Sequence, residues 1–388
     1  MKAPQPSRRA AVAPFMAMDV LRESRALERD GRDIVHMELG EPGAPTPRLV
    51  REAASAILRE GAIGYGEAMG DAPLRARIAS HYAERYGVDV SPERVIATTG
   101  SSGGFLLSFL AGFDAGARIG VAAPGYPAYA NILDALGLVS VVIETGAETR
   151  FALTAAQVEA AHRTQKLDGL LLMSPANPTG TMIGVQELAR ICAFCDDAGV
   201  TLVSDEIYHG LEFEGRAETA LRFSPRALVV NSFSKYYAMT GWRLGWIVAP
   251  DSLVRPIERL QQSLAICAPT LAQRAALAAF DATEELEANK AAYARNRAQL
   301  TLRLPQIGLA HFAPPDGAFY IYADISALTT DSLGFCRRLL HEAGVAVTPG
   351  LDFDRARGAA TMRLSYAGSE SDVAKGVERL GNFLARST

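Results

Sequence analysis

Cysteine is scarce. The 388 residues hold four, too few to staple a fold of this size with disulfides. Cys192 and Cys195 form a CxxC, but it lies inside the helix-like GVQELARICAFCDDAG, not at a helix N-terminus where the dipole would activate a thiol. No second cysteine pair completes a zinc site. Both therefore read as core thiols, with no metal, and a reducing, cytoplasmic location is expected. Long hydrophobic runs are absent as well: no stretch approaches the ~18 apolar residues of a membrane helix. A secretory leader is not recognisable in MKAPQPSRRAAVAPFMAMDV, where Pro14 and Asp19 interrupt the apolar stretch. Excess positive charge is missing too. With 39 Lys and Arg against 43 Asp and Glu, there is no electrostatic footprint for nucleic acid.

What is present is a soluble, globular composition, half apolar and one-fifth charged, in a chain long enough for about two domains. Seven short apolar runs alternate with helical patterns: 95–99, 117–123, 139–144, 169–174, 201–205, 227–231 and 244–249. Most are continuous rather than alternating, as in a mostly parallel sheet covered on both faces. Gly199 is a plausible C-cap. After Pro250 the pattern is helical to Arg303, with an interruption near Pro269. From about Gly308 the chain reads strand, helix, strand: GAFYIYADI, SLGFCRRLLHEAG, VAVTPG, TMRLSYA, then a final helix to Leu384. That pattern predicts a smaller α/β unit built from both chain ends.

The chemistry gathers at strand ends, where open parallel sheets bind ligands. Gly100, Ser101 and Ser102 follow the first run and open a helical pattern; Asn177 follows the fourth; Asp205 ends the fifth; Ser232 to Lys235 follow the sixth. The segment SFSKYYAMTGWRLGW, Ser232 to Trp246, carries one lysine, Lys235, behind two hydroxyls, Ser232 and Ser234, and ahead of Arg243. An amine set among hydroxyls and a guanidinium suits an aldehyde cofactor with a phosphate tail. TLVSDEIY adds Asp205 and Tyr208, and LLLMSPANPTG adds Asn177.

Together these residues resemble the pyridoxal-phosphate (PLP) aminotransferases of fold type I, the class I/II family, over nearly the whole chain. The resemblance implies an α/β fold: a large domain with a mostly parallel seven-stranded sheet between helices, and a smaller α/β domain from both termini. The expected division is residues 1–40 (arm and part of the small domain), 41–285 (large PLP-binding domain) and 286–388 (C-terminal small domain). It implies that Lys235 is the Schiff-base lysine, that Asp205 pairs with the pyridine nitrogen, and that Tyr208 and Asn177 bond the ring hydroxyl. Ser101 and Ser102 at a helix start, with Ser232 and Arg243, would hold the phosphate; Ser234 either helps or shapes the turn. Tyr126, in APGYPAY, matches the ring that stacks on the cofactor. Arg363, in TMRLSYA, matches the arginine for the substrate α-carboxylate, and Gly40, in ELGEPGAPTP, a backbone position beside it. Tyr65 matches a tyrosine that reaches the phosphate of the other subunit's cofactor, which implies a homodimer with shared active sites.

The reaction so implied is ping-pong transfer of an α-amino group to a 2-oxo acid, 2-oxoglutarate or pyruvate. Two family positions that carry a distal cation in dicarboxylate-specific branches align with Ser263 and Ser102, so strict aspartate specificity is not expected. Two rivals stand beside this reading. Carbon–sulfur lyases that eliminate at the β-carbon share the fold and cofactor. Gly100 to Gly104 also fits the G-x-S-x-G elbow of an α/β serine hydrolase, with Ser102 as nucleophile and His311 or His341 as base.

Overall fold

The structure is a computed structural model that describes residues 4–61 and 63–387. Strand β1 (Val35–His36) lies near the N-terminus. The main-sheet strands follow: β2 (Val95–Thr98), β3 (Arg118–Ala123), β4 (Val139–Glu144), β5 (Gly169–Met173), β6 (Thr201–Asp205), β7 (Leu228–Ser232) and β8 (Gly245–Val248). Strands β9 (Tyr320–Asp324), β10 (Val345–Ala346), β11 (Thr348–Pro349) and β12 (Thr361–Ser365) come last.

All seven apolar runs became strands of one sheet, in the order β2-β8-β7-β6-β5-β3-β4. Only β8 runs antiparallel to its neighbours. The continuous apolar character has the expected cause. Leu170 and Leu172 of β5 enter one hydrophobic cluster and Leu171 another, and Val229 of β7 faces away from Leu228 and Val230 in the same way. Both faces of the sheet are therefore dry. Edge strand β4 alternates instead, with Val139 and Val142 exposed.

A second core surrounds the antiparallel sheet β11-β12-β9. Val35 and Met37 from the N-terminal side pack there with Met362, Val377 and Leu380, so both chain ends build it. VAVTPG does not form the one strand expected. Val345 and Ala346 pair in parallel with β1, whereas Thr348 and Pro349 pair with β12. Thr348 turns its hydroxyl to the Glu38 carbonyl at the break. The final helix, Glu370–Ser387, runs three residues past the expected end. Cys192 and Cys195 lie buried within the helix Val185–Ala198, and burial pushes both thiols up to about 12.

Register decides where the chemistry goes. Met173, Asp205 and Val230 are aligned partners at the carboxyl ends of β5, β6 and β7. The loops that leave those ends carry Asn177, Tyr208 and Lys235 side by side.

Candidate active site

Asp205 is 2% exposed. Its Oδ1 accepts from the Ile207 amide at 3.0 Å, and its Oδ2 accepts from the Tyr129 hydroxyl. Among the described residues no cation pairs with it. Burial therefore dominates and pushes the carboxyl up to about 7. Lys235 lies within reach of its charge but forms no ion pair among the described residues. Its Nζ donates to the Gly40 carbonyl at 2.5 Å and sits 5.9 Å from the centre of the Tyr208 ring. Burial brings this amine down to about 8; Glu41 opposes the shift, and Arg363 and Arg243 add to it.

An amine and a carboxyl are thus buried within reach of each other's charge but without an ion pair between them among the described residues. That is costly unless a ligand completes the set. A cationic ring nitrogen for Asp205 and an aldehyde for Lys235 are what PLP would bring, so these residues fit that group.

An anion cradle lies alongside. The helix Gly100–Gly112 starts directly after β2, with Ser101 and Ser102 in its first turn. Gly100 has φ +66°, and a Cβ there would stand 2.5 Å from the Arg243 guanidinium. Only glycine lets the arginine pack onto the helix start, where free amides and the dipole favour a phosphate. Arg243 itself holds a left-handed φ of 52°, a strained conformation for a residue with a side chain. Ser232 Oγ donates to the Leu244 carbonyl at 2.9 Å and lies 2.8 Å from Ser234 Oγ. Ser234 is buried and accepts at its carbonyl from Thr240, which makes it part of the turn's own bonding.

On the other side stands Arg363, 2% exposed. Its Nη1 donates to Asn177 Oδ1 at 2.9 Å; its Nη2 donates to Thr348 Oγ1 at 3.2 Å and to the Glu38 carbonyl. Rings hold it in place: its guanidinium carbon is 4.5 Å from the Tyr320 centroid and 4.7 Å from that of Phe353. Its Nε is buried without a partner among the described residues, a free donor suited to a carboxylate. Tyr126 meets Tyr129 edge-on at 5.3 Å and Phe15 at 5.8 Å. Tyr208 is buried, with its hydroxyl 2.6 Å from that of Tyr320.

The structure thus brings Lys235, Asp205, Tyr208, Asn177, Arg363 and Gly40 together, with Ser101, Ser102, Ser232, Ser234 and Arg243 grouped beside them and Tyr126 next to Tyr129. Tyr65 stands apart, 84% exposed. Sequence reading missed Tyr129, Tyr320 and Phe353. A signal for Tyr129 was available, since it lies one helical turn after Tyr126 in APGYPAY and so shares its face. The serine-hydrolase arrangement is not assembled. His341 bonds Glu23 at 2.7 Å, and His311 is exposed before β9; neither hydrogen-bonds Ser102 among the described residues.

Known proteins share this sequence and fold over nearly the whole chain. The family profile described as "Aminotransferase class I and II" matches residues 32–380. A valine–pyruvate aminotransferase of Mycobacterium tuberculosis is 49% identical over 380 residues, 97% of each chain. The crystal structure of an aminotransferase from M. tuberculosis superposes with a TM-score of 0.96 at 48% identity, covering 99% of this chain and 100% of the other. Aspartate aminotransferase from Thermus thermophilus with maleate gives 0.93 at 34% identity, covering 98% and 100%. This chain belongs to the class I and II aminotransferases, a PLP-dependent family of fold type I.

Proposed function

We propose that this aminotransferase moves the α-amino group of a neutral amino acid, valine in kind, to a 2-oxo acid, pyruvate in preference to 2-oxoglutarate, with pyridoxal 5′-phosphate as its cofactor. The observation that carries the cofactor part of this reading is the buried Lys235 amine, held at the Gly40 carbonyl and beside the Tyr208 ring, within reach of the buried Asp205 carboxyl.

Bound, the cofactor supplies an electron-withdrawing ring that makes the substrate α-proton acidic. Asp205 keeps the ring nitrogen positively charged. Ser101, Ser102, Ser232 and Arg243 hold the phosphate, with Ser234 bracing the turn. Tyr126 covers a ring face, and Tyr208 and Asn177 bond the ring oxygen. Arg363 takes the substrate carboxylate through its fork, with Gly40 leaving room beside it. Lys235 Nζ holds the aldehyde at rest. With the substrate amine in its place, the freed Nζ would take the α-proton as a base and give it back as an acid on the same face of the site. Burial has brought this amine near neutrality, so it is poised to act as both base and acid, worth ~10²–10⁴ in rate. Nitrogen enters with the amino acid and leaves with the second oxo acid, a ping-pong sequence.

A neutral donor is supported by two exposed serines, Ser102 and Ser263, at the positions where a distal cation would meet a second carboxylate. It is further supported by the valine–pyruvate activity named for the 49%-identical relative. We also assign Tyr65 to a partner subunit's cofactor phosphate. Ile63, Tyr65, Leu264 and Ile266 are exposed apolar side chains, and the Thr270 hydroxyl donates to the Gly64 carbonyl between the first two at 2.8 Å.

The test compares initial rates for valine with pyruvate against aspartate with 2-oxoglutarate, and assays cystathionine for pyruvate and thiol release. Parallel double-reciprocal lines with valine and pyruvate support the proposal. Faster turnover of aspartate overturns the substrate class, and elimination from cystathionine without amino transfer favours the lyase.

A further inference from the structure

Tyr320 joins the two halves of the site. Its partner across the sheet is Ser365, while Arg363 pairs with Tyr322. Residues 320 and 322 share one face of β9, so Tyr320 and Arg363 are diagonal neighbours on one side of the sheet. The Tyr320 ring therefore lies under the guanidinium, 4.5 Å from its carbon. Its hydroxyl meets that of Tyr208 at 2.6 Å.

Two phenols that share one hydrogen bond leave one proton free, and the packing decides which. The Tyr320 oxygen is closed in. A Cβ at Gly40 would overlap it, the Arg363 cation covers the ring, and the residue is 1% exposed. Tyr208 borders the Lys235 amine, 5.9 Å from its ring centre. Either hydroxyl can donate in this contact; the closed surroundings of the Tyr320 oxygen favour Tyr320 as the donor, which leaves the proton of Tyr208 for the site. Burial raises both phenols above their usual range, so each keeps its proton at neutral pH and the bond persists.

We propose that Tyr320 is a positioning residue with two separable jobs. Its ring stacks Arg363 for the substrate carboxylate, and its hydroxyl donates to Tyr208 so that Tyr208 presents its own proton to the cofactor's ring oxygen. A phenol that accepts a hydrogen bond is a stronger donor. Tyr208 so polarised stabilises negative charge on the ring oxygen and keeps the Lys235-linked chromophore unprotonated to lower pH. This inference rests on the proposed roles of Lys235 and Tyr208.

The test is a spectroscopic pH titration of the resting holoenzyme, with no turnover involved. In Tyr320→Phe the midpoint of the absorbance change is expected to rise by roughly half a unit, about threefold in proton affinity, the scale of one hydrogen bond. The same change made in a Tyr208→Phe background is expected to add nothing further. Isovalerate, which has the shape of valine without its amine, is titrated in parallel. Its Kd is expected to stay within about twofold in Tyr320→Phe, which keeps the ring, and to rise roughly tenfold in Tyr320→Leu, which loses it. A midpoint that is unchanged or lowered in Tyr320→Phe, or an equal shift in both backgrounds, overturns the hydroxyl role. Unaltered isovalerate binding in Tyr320→Leu overturns the ring role. A wild-type protein with no titrating band overturns the cofactor reading itself, and this inference with it.

Discussion

The phenol of Tyr129 donates to Oδ2 of Asp205, and both groups are buried. It is the side-chain hydrogen bond on that carboxylate, and it opposes the burial that drives the carboxyl up. Tyr129→Phe is expected to leave the ionised form less stable and to weaken cofactor binding about tenfold, the ~1.5–3 kcal/mol of a hydrogen bond to a charged group partly offset by relaxation. Fluorescence titration of the cofactor-free chain with PLP measures this. Unchanged affinity would separate Tyr129 from Asp205's function.

Asp205 also makes the stability of the cofactor-free chain depend on pH. Its carboxyl sits at 3.8 when exposed and at about 7 when folded. Between those values the folded chain holds a proton that the unfolded chain has released, so stability falls as pH rises from about 4 to 7. Glu206, pushed up to about 8 by burial, acts in the same direction. Denaturant melts of wild type and Asp205→Asn are expected to show a shallower decline in the variant across that window. A steeper one would contradict the uncompensated burial of Asp205.

Arg363 presents a fork between two rings with Nε unpaired. Lysine keeps the charge but loses the planar donor set. Arg363→Lys is expected to raise KM for the amino donor ~10–100-fold, with a smaller effect on kcat. Steady-state kinetics with valine decide it, and a fall confined to kcat would remove Arg363 from substrate binding.

Gly40 is limited by the Tyr320 hydroxyl, which a Cβ would strike. Gly40→Ala is expected to cost about 1–3 kcal/mol of stability through overpacking. Adding Tyr320→Leu is expected to return part of that loss. Thermal melts of the single and double variants check it; strictly additive losses would exclude this clash as the cause.

Much of this architecture was legible in the residues. Seven apolar runs gave seven strands because a sheet buried on both faces needs uninterrupted apolar side chains, as Leu170 to Leu172 demonstrate. The loops after β5, β6 and β7 carried the polar groups because register aligns those strand ends. VAVTPG hid its break, since of the partners that divide it Val35 pairs with Val345 from far upstream in the chain and Arg363 pairs with Thr348 from a short way downstream. Tyr320 and Phe353 were invisible for a related reason. Both lie in apolar surroundings and read as core; only the folded position of Arg363 gives their rings a cation to hold.

The central claim is that the nitrogen at position 235 holds the cofactor's aldehyde. Borohydride reduction of the holoenzyme, followed by peptide mass spectrometry, tests it directly. One reduced adduct per chain is expected, on Lys235, and none in Lys235→Ala even when that variant binds the cofactor. An adduct on another lysine, or a fully active Lys235→Ala enzyme, would contradict it.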